Sequence, residues 1–287
     1  MIQSSELILN PDGSVYHLNL LPEHIAHNII FVGDQDRVSK ITKHFDNVEF
    51  STQKREFKTE TGFYKGKRIS VISTGIGPDN IDIVMNELDA LVNIDLKLRL
   101  PKTQQTKLNI VRVGTSGALQ PEIEVDSFVI SAFGLGLDNM LRSYQIDGIT
   151  NQNMEQSFMK HCDWDIKKGQ PYAVKASDFL LKKLEHATVH KGITATSGGF
   201  YGPQGRVLRL PIQDTFLNDK MDRFSFEGMK ITNLEMETAA IYGLGQLLGH
   251  ECLSMNAIIA NRASKTFSKD PYKTVENLIE YTLDKIL

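Results

Sequence analysis

The segment NIVRVGTSG, residues 109–117, joins a short run of β-branched apolar residues to a glycine-rich end that carries Arg112, Thr115 and Ser116. Runs of this kind alternate along the chain with segments of helical period, which is typical of a mostly parallel sheet covered by helices. The predicted strands are residues 29–32, 69–73, 109–113, 127–131, 189–194 and 253–259. The sequence therefore predicts an α/β fold.

Two segments have the spacing of an amphipathic helix. Residues 80–92 place Ile81, Val84 and Leu88 on one helical face, and residues 275–286 repeat the pattern. Between them, the polar segment NIDLKLRLPKTQQTK, residues 93–107, predicts an exposed excursion, and a solvated loop without function is an equal interpretation. Because no internal repeat or Ser/Pro/Gly linker divides the chain, we predict one domain over residues 1–287.

Composition excludes several classes of protein. The net charge of −3 and the pI of about 6.3 provide no electrostatic footprint for nucleic acid or an anionic membrane. Two cysteines, Cys162 and Cys252, are too few for a disulfide scaffold or a cysteine-based metal site. The sequence contains neither a signal-peptide pattern nor an apolar run of about 18 residues. We therefore predict a cytoplasmic protein with no nucleic-acid or membrane partner.

Three glycine-rich turns are predicted at strand ends, in IIFVGDQDRV (residues 29–38), ISTGIG (72–77) and RVGTSG (112–117). Each turn alone is equally compatible with a simple connection, but three of them meet at the carboxyl edge of a parallel sheet, where α/β folds bind ligands. Backbone N–H groups and helix amino termini favour anions there. Arg37, Arg55 and Arg112 are candidate partners, because a guanidinium binds two oxygens at once.

Two later motifs carry further chemistry. In GFYGPQGR, residues 199–206, Phe200 offers a stacking face, Gln204 donates and accepts, and Arg206 only donates, which suits a planar ring with carbonyls and an N–H. In NLEMETAA, residues 233–240, two carboxylates flank Met236 as a strand passes into a helix. Acid/base work, metal ligation, hydroxyl binding and a plain helix terminus are all open. Hydroxyl binding is the most economical for Glu237, because no further ligand with metal spacing lies nearby.

In this order the motifs resemble the nucleoside phosphorylase superfamily of the uridine phosphorylase type. The matches are His-Leu near the start, G-D-x-x-R-V, R-E-F, S-T-G-I-G, R-V-G-T-S-G, F-Y-x-x-Q-x-R and E-M-E, spread from Tyr16 to Phe267. The resemblance implies a three-layer α/β/α fold with a central mixed, mostly parallel sheet. It also implies phosphorolysis of uridine to uracil and ribose 1-phosphate in pyrimidine salvage. Inorganic phosphate is then the co-substrate, and no organic cofactor is expected.

The resemblance also implies a role for each matched residue. Phosphate would be bound by Gly33, Arg37, Arg112, Thr115 and, from a neighbouring subunit, Arg55. Ribose would be bound by Met236, Glu237 and, also from the neighbour, His17. The base would be bound by Phe200, Ser116, Gly117, Gln204 and Arg206. The predicted catalytic residues are Arg206 and Glu237.

A site shared in this way implies a homo-oligomer whose minimal unit is a dimer, with a hexamer built as a trimer of dimers also open. Some bacterial members place a monovalent cation, potassium, between subunits near the residues that match Glu56, Ile76 and Asn80, where Asn80 replaces the usual Ser. No other metal is predicted.

Three alternatives remain. The first is a purine nucleoside phosphorylase, in which a late Asp helps to protonate the base; this chain has Asn261 and Arg262 there. The second is a nucleosidase that uses water. The third is a catalytically idle nucleoside-binding protein.

Overall fold

The computed structural model describes residues 1–286, which form seven α-helices and fourteen strands. The helices are α1 (Gln35–Thr42), α2 (Pro78–Asn93), α3 (Gln152–Cys162), α4 (Asp178–Leu184), α5 (Leu217–Arg223), α6 (Thr238–Leu248) and α7 (Pro271–Ile286). The strands are β1 (Asn28–Val32), β2 (Asn47–Lys54), β3 (Phe57–Tyr64), β4 (Lys67–Ser73), β5 (Ile94–Asp95), β6 (Leu100–Pro101), β7 (Asn109–Ala118), β8 (Phe128–Gly136), β9 (Tyr172–Lys175), β10 (Val189–Thr196), β11 (Ser225–Phe226), β12 (Met229–Glu235), β13 (Glu251–Asn261) and β14 (Thr266–Phe267). No helix within these residues is both long and apolar enough to cross a bilayer.

One mixed sheet organises the chain, in the order β11-β12-β10-β8-β13-β7-β1-β4-β3-β2. From β12 to β4, every neighbouring pair except β8 with β13 is parallel. Strand β12 also pairs with β7, through Asn233 opposite Ala118 and Leu234 opposite Gly117. This pairing closes β7, β13, β8, β10 and β12 into a ring. The predicted α/β class is confirmed, and the ring is a feature that the sequence did not predict.

All six predicted strands are present, as β1, β4, β7, β8, β10 and β13, and both predicted helices are present as α2 and α7. The main difference is at β7, which continues to Ala118 instead of ending at Val113. The prediction that RVGTSG is a turn is therefore wrong. The physical reason is that β13 runs beside β7 as far as Ala118 and β12 pairs with its last two residues, so partners on both sides keep the backbone extended.

Helices pack on the sheet through the apolar faces that the sequence predicts. Helix α6 lies on β8, β10 and β13 and contacts α2, while α7 packs on β7 and β13. In α2 the side chains of Ile81, Val84 and Leu88 are fully buried. Burying an aliphatic side chain of this size contributes about 1.5–3 kcal/mol. This packing fixes α2 and α6, whose amino termini border the site described below.

The excursion at residues 93–107 forms a small hairpin, β5 with β6, which projects from the end of α2. Its Leu98 and Leu100 are exposed, so the predicted exposure is confirmed. The Arg99 guanidinium donates to the carbonyl of Leu7 at 2.6 Å, and the N–H of Ile2 donates to the carbonyl of Arg99 at 2.8 Å. The hairpin therefore holds the amino-terminal segment.

Candidate active site

Two strand-end turns meet at the carboxyl edge of the sheet. Strands β1 and β4 are parallel neighbours, and a Cβ added to Gly33 would lie 3.5 Å from the carbonyl oxygen of Gly75. Gly75 and Gly77 have φ values of +71° and +103°, which glycine adopts most readily. Helix α1 begins two residues after Gly33, and α2 begins directly after Gly77. Two helix amino termini therefore border this edge, and each favours an anion. We call it the anion edge.

Arg37 and Arg112 bring two guanidinium groups to the same place. Arg37 Nη1 donates to the carbonyl of Val113 at 3.3 Å, and no carboxylate within residues 1–286 forms an ion pair with it. Burial, and then the charge of Arg112, lower the pKa of Arg37. A desolvated cation without a carboxylate is stabilised by a bound anion. The pair therefore has the charge and the donors of a phosphate site.

The two carboxylates of the E-M-E motif have different partners. Glu235 accepts from the N–H groups of Glu237 at 2.8 Å and Thr238 at 2.9 Å, so it satisfies the amino terminus of α6. Glu237 Oε2 accepts from Arg112 Nη2 at 2.5 Å, and its Oε1 accepts from the N–H of Gly77 at 2.9 Å. Burial raises the pKa of Glu237, and the Arg112 charge opposes this. Of the two, Glu237 is the carboxylate that faces the anion edge.

The FYGPQGR segment forms a second polar cluster around Gln204, whose side chain is buried. Gln204 Oε1 accepts from Arg206 Nη1 at 2.5 Å and from Arg262 Nη2 at 3.2 Å. The Arg206 guanidinium lies 3.7 Å from the centre of the Phe200 ring. Burial, reinforced by the charge of Arg206, lowers the pKa of Arg262 to about 10. Two guanidinium groups therefore fix one amide beside an aromatic face.

Strand β7 connects the two clusters. Arg112 lies at the anion edge, and five residues further on Gly117 lies beside the second cluster, where a Cβ would be 3.8 Å from Arg262 Nε. Between them, Ser116 Oγ accepts from Asn233 Nδ2 at 2.9 Å. The unpredicted extension of β7 therefore runs from the predicted phosphate residues to the predicted base residues.

A family model described as the Phosphorylase superfamily matches residues 28–286. The chain belongs to this superfamily. The uridine phosphorylase of Thermococcus kodakarensis is 29% identical over 266 residues, covering 93% of this chain and 84% of that protein. The DeoD-type purine nucleoside phosphorylase of Listeria welshimeri is 27% identical over 271 residues, covering 93% and 97%. The crystal structure of the Trypanosoma brucei nucleoside phosphorylase, which shows uridine phosphorylase activity, has a TM-score of 0.87 and 26% identity, covering 98% of this chain and 99% of that one.

Membership of the phosphorylase superfamily confirms the resemblance drawn from the motifs. It also confirms the predicted enzyme class, a pentosyltransferase that acts on nucleosides with phosphate. The relatives include uridine and purine phosphorylases, so similarity alone leaves the base undecided.

Two predicted residues lie apart from these clusters. Arg55 is exposed at the turn between β2 and β3, with φ of +54°, and forms no ion pair within the described part of the phosphorylase. His17 Nδ1 contacts Glu87 Oε1 at 2.7 Å, and its ring packs against Tyr16 and Phe57. The resemblance assigns both residues to a neighbouring subunit's site, so their separation within one chain leaves that prediction open.

The three residues of the suggested cation site do come together. A Cβ on Gly75 would lie 3.0 Å from Glu56 Cγ and 2.5 Å from Asn80 Nδ2, and Asn80 Nδ2 donates to the carbonyl of Ile76 at 3.4 Å. These contacts lie within one subunit, and the bound cation stays a prediction.

Two residues that join these clusters have no site role predicted from the sequence: Arg262, named only with Asn261 in place of the late Asp, and Asn256. Arg262 follows the last β13 residue and contacts Gln204, and an arginine directly after a strand end was the available signal. Asn256 lies inside β13 and accepts from Arg112 Nη1 at 2.8 Å. A single asparagine within an apolar strand gives no signal of its own, because its partner depends on the neighbouring strand.

Proposed function

We propose that this chain is a uridine phosphorylase, which converts uridine and inorganic phosphate to uracil and ribose 1-phosphate in pyrimidine salvage. The observation that carries the proposal is the donor-rich cluster of Gln204, Arg206 and Arg262. Uracil presents two carbonyl oxygens on either side of an N–H. Two guanidinium groups donate to carbonyls, and an amide both donates and accepts, so the cluster complements that edge.

Asn261 supports a pyrimidine over a purine. Its Nδ2 donates to the carbonyls of Gln120 at 2.9 Å and Ile123 at 2.7 Å, and its Oδ1 accepts from the N–H of Ser264 at 2.9 Å. Every polar atom of this buried side chain is therefore committed to the backbone. At the position where the resemblance places the acid of purine enzymes, this chain has a structural amide that supplies no proton to a base.

The proposed chemistry uses charges that are already in place. Phosphate held by Arg37 and Arg112 attacks C1′ of the ribose while the C1′–N1 bond breaks and its electron pair passes into the uracil ring. Arg206 donates to the carbonyl oxygen on which negative charge develops, and Glu237 accepts from the ribose hydroxyls. Preorganised charge of this kind is commonly the largest catalytic contribution. Because phosphate is the nucleophile, no covalent enzyme intermediate forms.

The functional unit that we infer is a dimer or a larger homo-oligomer. The support is that Arg55 is exposed and carries no ion pair among residues 1–286, so its guanidinium is free to complete a neighbour's phosphate site. In a C2 dimer each subunit would give and receive this arginine.

Base release from uridine, thymidine, inosine and adenosine, each with and without phosphate, tests the proposal. We expect release from uridine that requires phosphate. Release without phosphate would instead identify a nucleosidase, release from inosine alone a purine enzyme, and no release a binding protein. Arg223→Ala is the matched control for arginine-to-alanine variants of the base cluster. Arg223 is exposed at the end of α5, so its loss should leave the rate unchanged.

A further inference from the structure

A second strand contributes to the position of Arg112. In the parallel register of β7 and β13, Ser254 lies opposite Arg112 and Asn256 lies opposite Gly114. Alternate residues of a strand share a face of the sheet, so Arg112, Gly114 and Asn256 meet on one face. Asn256 is fully buried, and its Oδ1 accepts from Arg112 Nη1 at 2.8 Å.

The Arg112 guanidinium is held from two sides. Nη2 donates to Glu237 Oε2 at 2.5 Å and lies 3.4 Å from Glu235 Oε2, while Nη1 donates to Asn256. A planar guanidinium fixed at both terminal nitrogens has one orientation. Gly114 provides the space, because a Cβ there would lie 1.9 Å from Arg112 Nη1 and 2.8 Å from Asn256 Oδ1.

The charges around residue 256 explain why an amide side chain suits this position. The half-buried Arg37 and the buried Arg112 share this edge with two buried carboxylates, Glu235 and Glu237, so cations and carboxylates are equal in number. Both carboxylates contact Arg112. An asparagine supplies an acceptor without charge. An aspartate would add a third carboxylate at a site that has to accept an anion, and charge repulsion is strong where water is excluded.

We propose that Asn256 is a positioning residue for phosphate binding, which orients Arg112 without neutralising it, in the space that Gly114 leaves. The inference rests on the proposed function, in which Arg112 binds phosphate. Asn256 itself acts through Arg112 and touches no substrate.

Two variants separate orientation from charge. Asn256→Asp keeps the shape and the acceptor but adds a charge, and Asn256→Leu keeps a similar volume but removes the acceptor. We expect both to raise the phosphate KM about tenfold or more, with the uridine KM within about twofold of wild type. Gly114→Ala, which disturbs the same contact from β7, should raise the phosphate KM as well.

The matched control is Asn93→Asp, which adds the same charge at another buried asparagine, one that contacts Asp89 and Thr106 at the end of α2. It should lower Tm and leave the phosphate KM unchanged. An unchanged phosphate KM in Asn256→Asp, or a change in Asn256→Asp that Asn93→Asp reproduces, would overturn the inference.

A binding measurement without nucleoside keeps the two proposals apart. Inorganic phosphate should raise the Tm of the wild type, and Asn256→Asp should lose most of that increase. If the wild type does not cleave uridine but the phosphate-dependent increase is present and is lost in Asn256→Asp, the role of Asn256 stands and the substrate proposal fails. If the wild type cleaves uridine and Asn256→Asp keeps the increase, the role of Asn256 fails alone.

Discussion

Replacing Arg206 with alanine tests how the leaving group is stabilised. Arg206 is half-buried, its guanidinium lies 3.7 Å from the Phe200 ring, and it donates to Gln204 Oε1 at 2.5 Å. The substitution removes one charged donor from the base cluster. Arg262 Nη2 still donates to Gln204 Oε1 at 3.2 Å, so the amide keeps one of its two partners.

The expected loss is in kcat. Removing one preorganised donor from a developing oxyanion costs about 10²–10³ in rate, and the exposed fraction of Arg206 together with the remaining Arg262 places this variant at the lower end. We therefore expect kcat for uridine to fall about 100-fold, equivalent to about 2.7 kcal/mol. The phosphate KM should change little, because Arg37 and Arg112 belong to the other cluster.

The assay is the steady-state rate of uridine cleavage at saturating phosphate, with Arg206→Lys as a variant that keeps charge but loses the planar fork. A comparison with 5-fluorouridine adds a specific readout. Its base is a better leaving group and needs less stabilisation, so the Arg206→Ala defect should be smaller for it. An Arg206→Ala protein with normal Tm and kcat within about threefold of wild type, or an equal defect with both nucleosides, would refute the reasoning.

Four further outcomes are expected. Arg37→Met should raise the phosphate KM and also raise Tm, because it removes a desolvated guanidinium that has no carboxylate within residues 1–286; kinetics and thermal unfolding check both. At a phosphate concentration near the wild-type KM, Arg55→Ala and Arg37→Ala should each retain little activity. Subunits of the two variants mixed in equal amounts should regain about a quarter of the wild-type rate if Arg55 serves the neighbour's site. Asn261→Asp should lower Tm, because two buried carbonyls lose their donor at about 1–3 kcal/mol each, without gaining release from inosine. Burial raises the pKa of Asp138 above its ordinary value of 3.8. Between 3.8 and the raised pKa, the folded state retains a proton that the unfolded chain has lost, so the stability of the wild type falls as pH rises through this window. Asp138→Asn should therefore gain stability over the wild type across that window, as measured by urea unfolding at several pH values.

Local patterns predicted six strands, and each of them is mostly buried. Strands β1 and β4 are short apolar runs that end in polar or glycine residues, and both were found close to their observed bounds. Strand β2 was missed because it is mostly exposed and its sequence, NVEFSTQK, lacks a clear apolar face. The pattern of apolar residues reports burial, and an edge strand that is not buried escapes it.

The ring closure could not be predicted from local sequence. It depends on Leu234 pairing with Gly117, residues that are far apart in the chain, and it converts an apparent turn into the end of β7. Glycine-rich sequence is typical of turns because glycine tolerates many conformations, but the same freedom lets it remain extended between two neighbouring strands.

For the site, residue types at strand ends predicted most of what the structure brings together. Arg37 and Glu237 follow the ends of β1 and β12, as predicted, and the carboxyl ends of parallel strands meet at one edge. Arg112 lies within β7, and its residue type rather than a strand end indicated it. Asn256 was missed because it lies inside a strand, where its function depends on the register with β7.

The charges of the anion edge indicate why the phosphate site of a single subunit would be incomplete. Within the chain, Arg112 is paired with Glu237, and Glu235 lies 3.4 Å from the same guanidinium, so Arg37 is the cation without a carboxylate partner among residues 1–286. A phosphate dianion carries two negative charges, whereas the two guanidinium groups and two carboxylates of this edge sum to zero. The amino termini of α1 and α2 supply only about half a positive charge each. Arg55 from a neighbouring subunit would supply the missing cation. Phosphate binding and subunit association should then stabilise each other. Dilution to monomers should weaken phosphate affinity in the wild type but not in Arg55→Ala, whose site lacks that cation at every concentration.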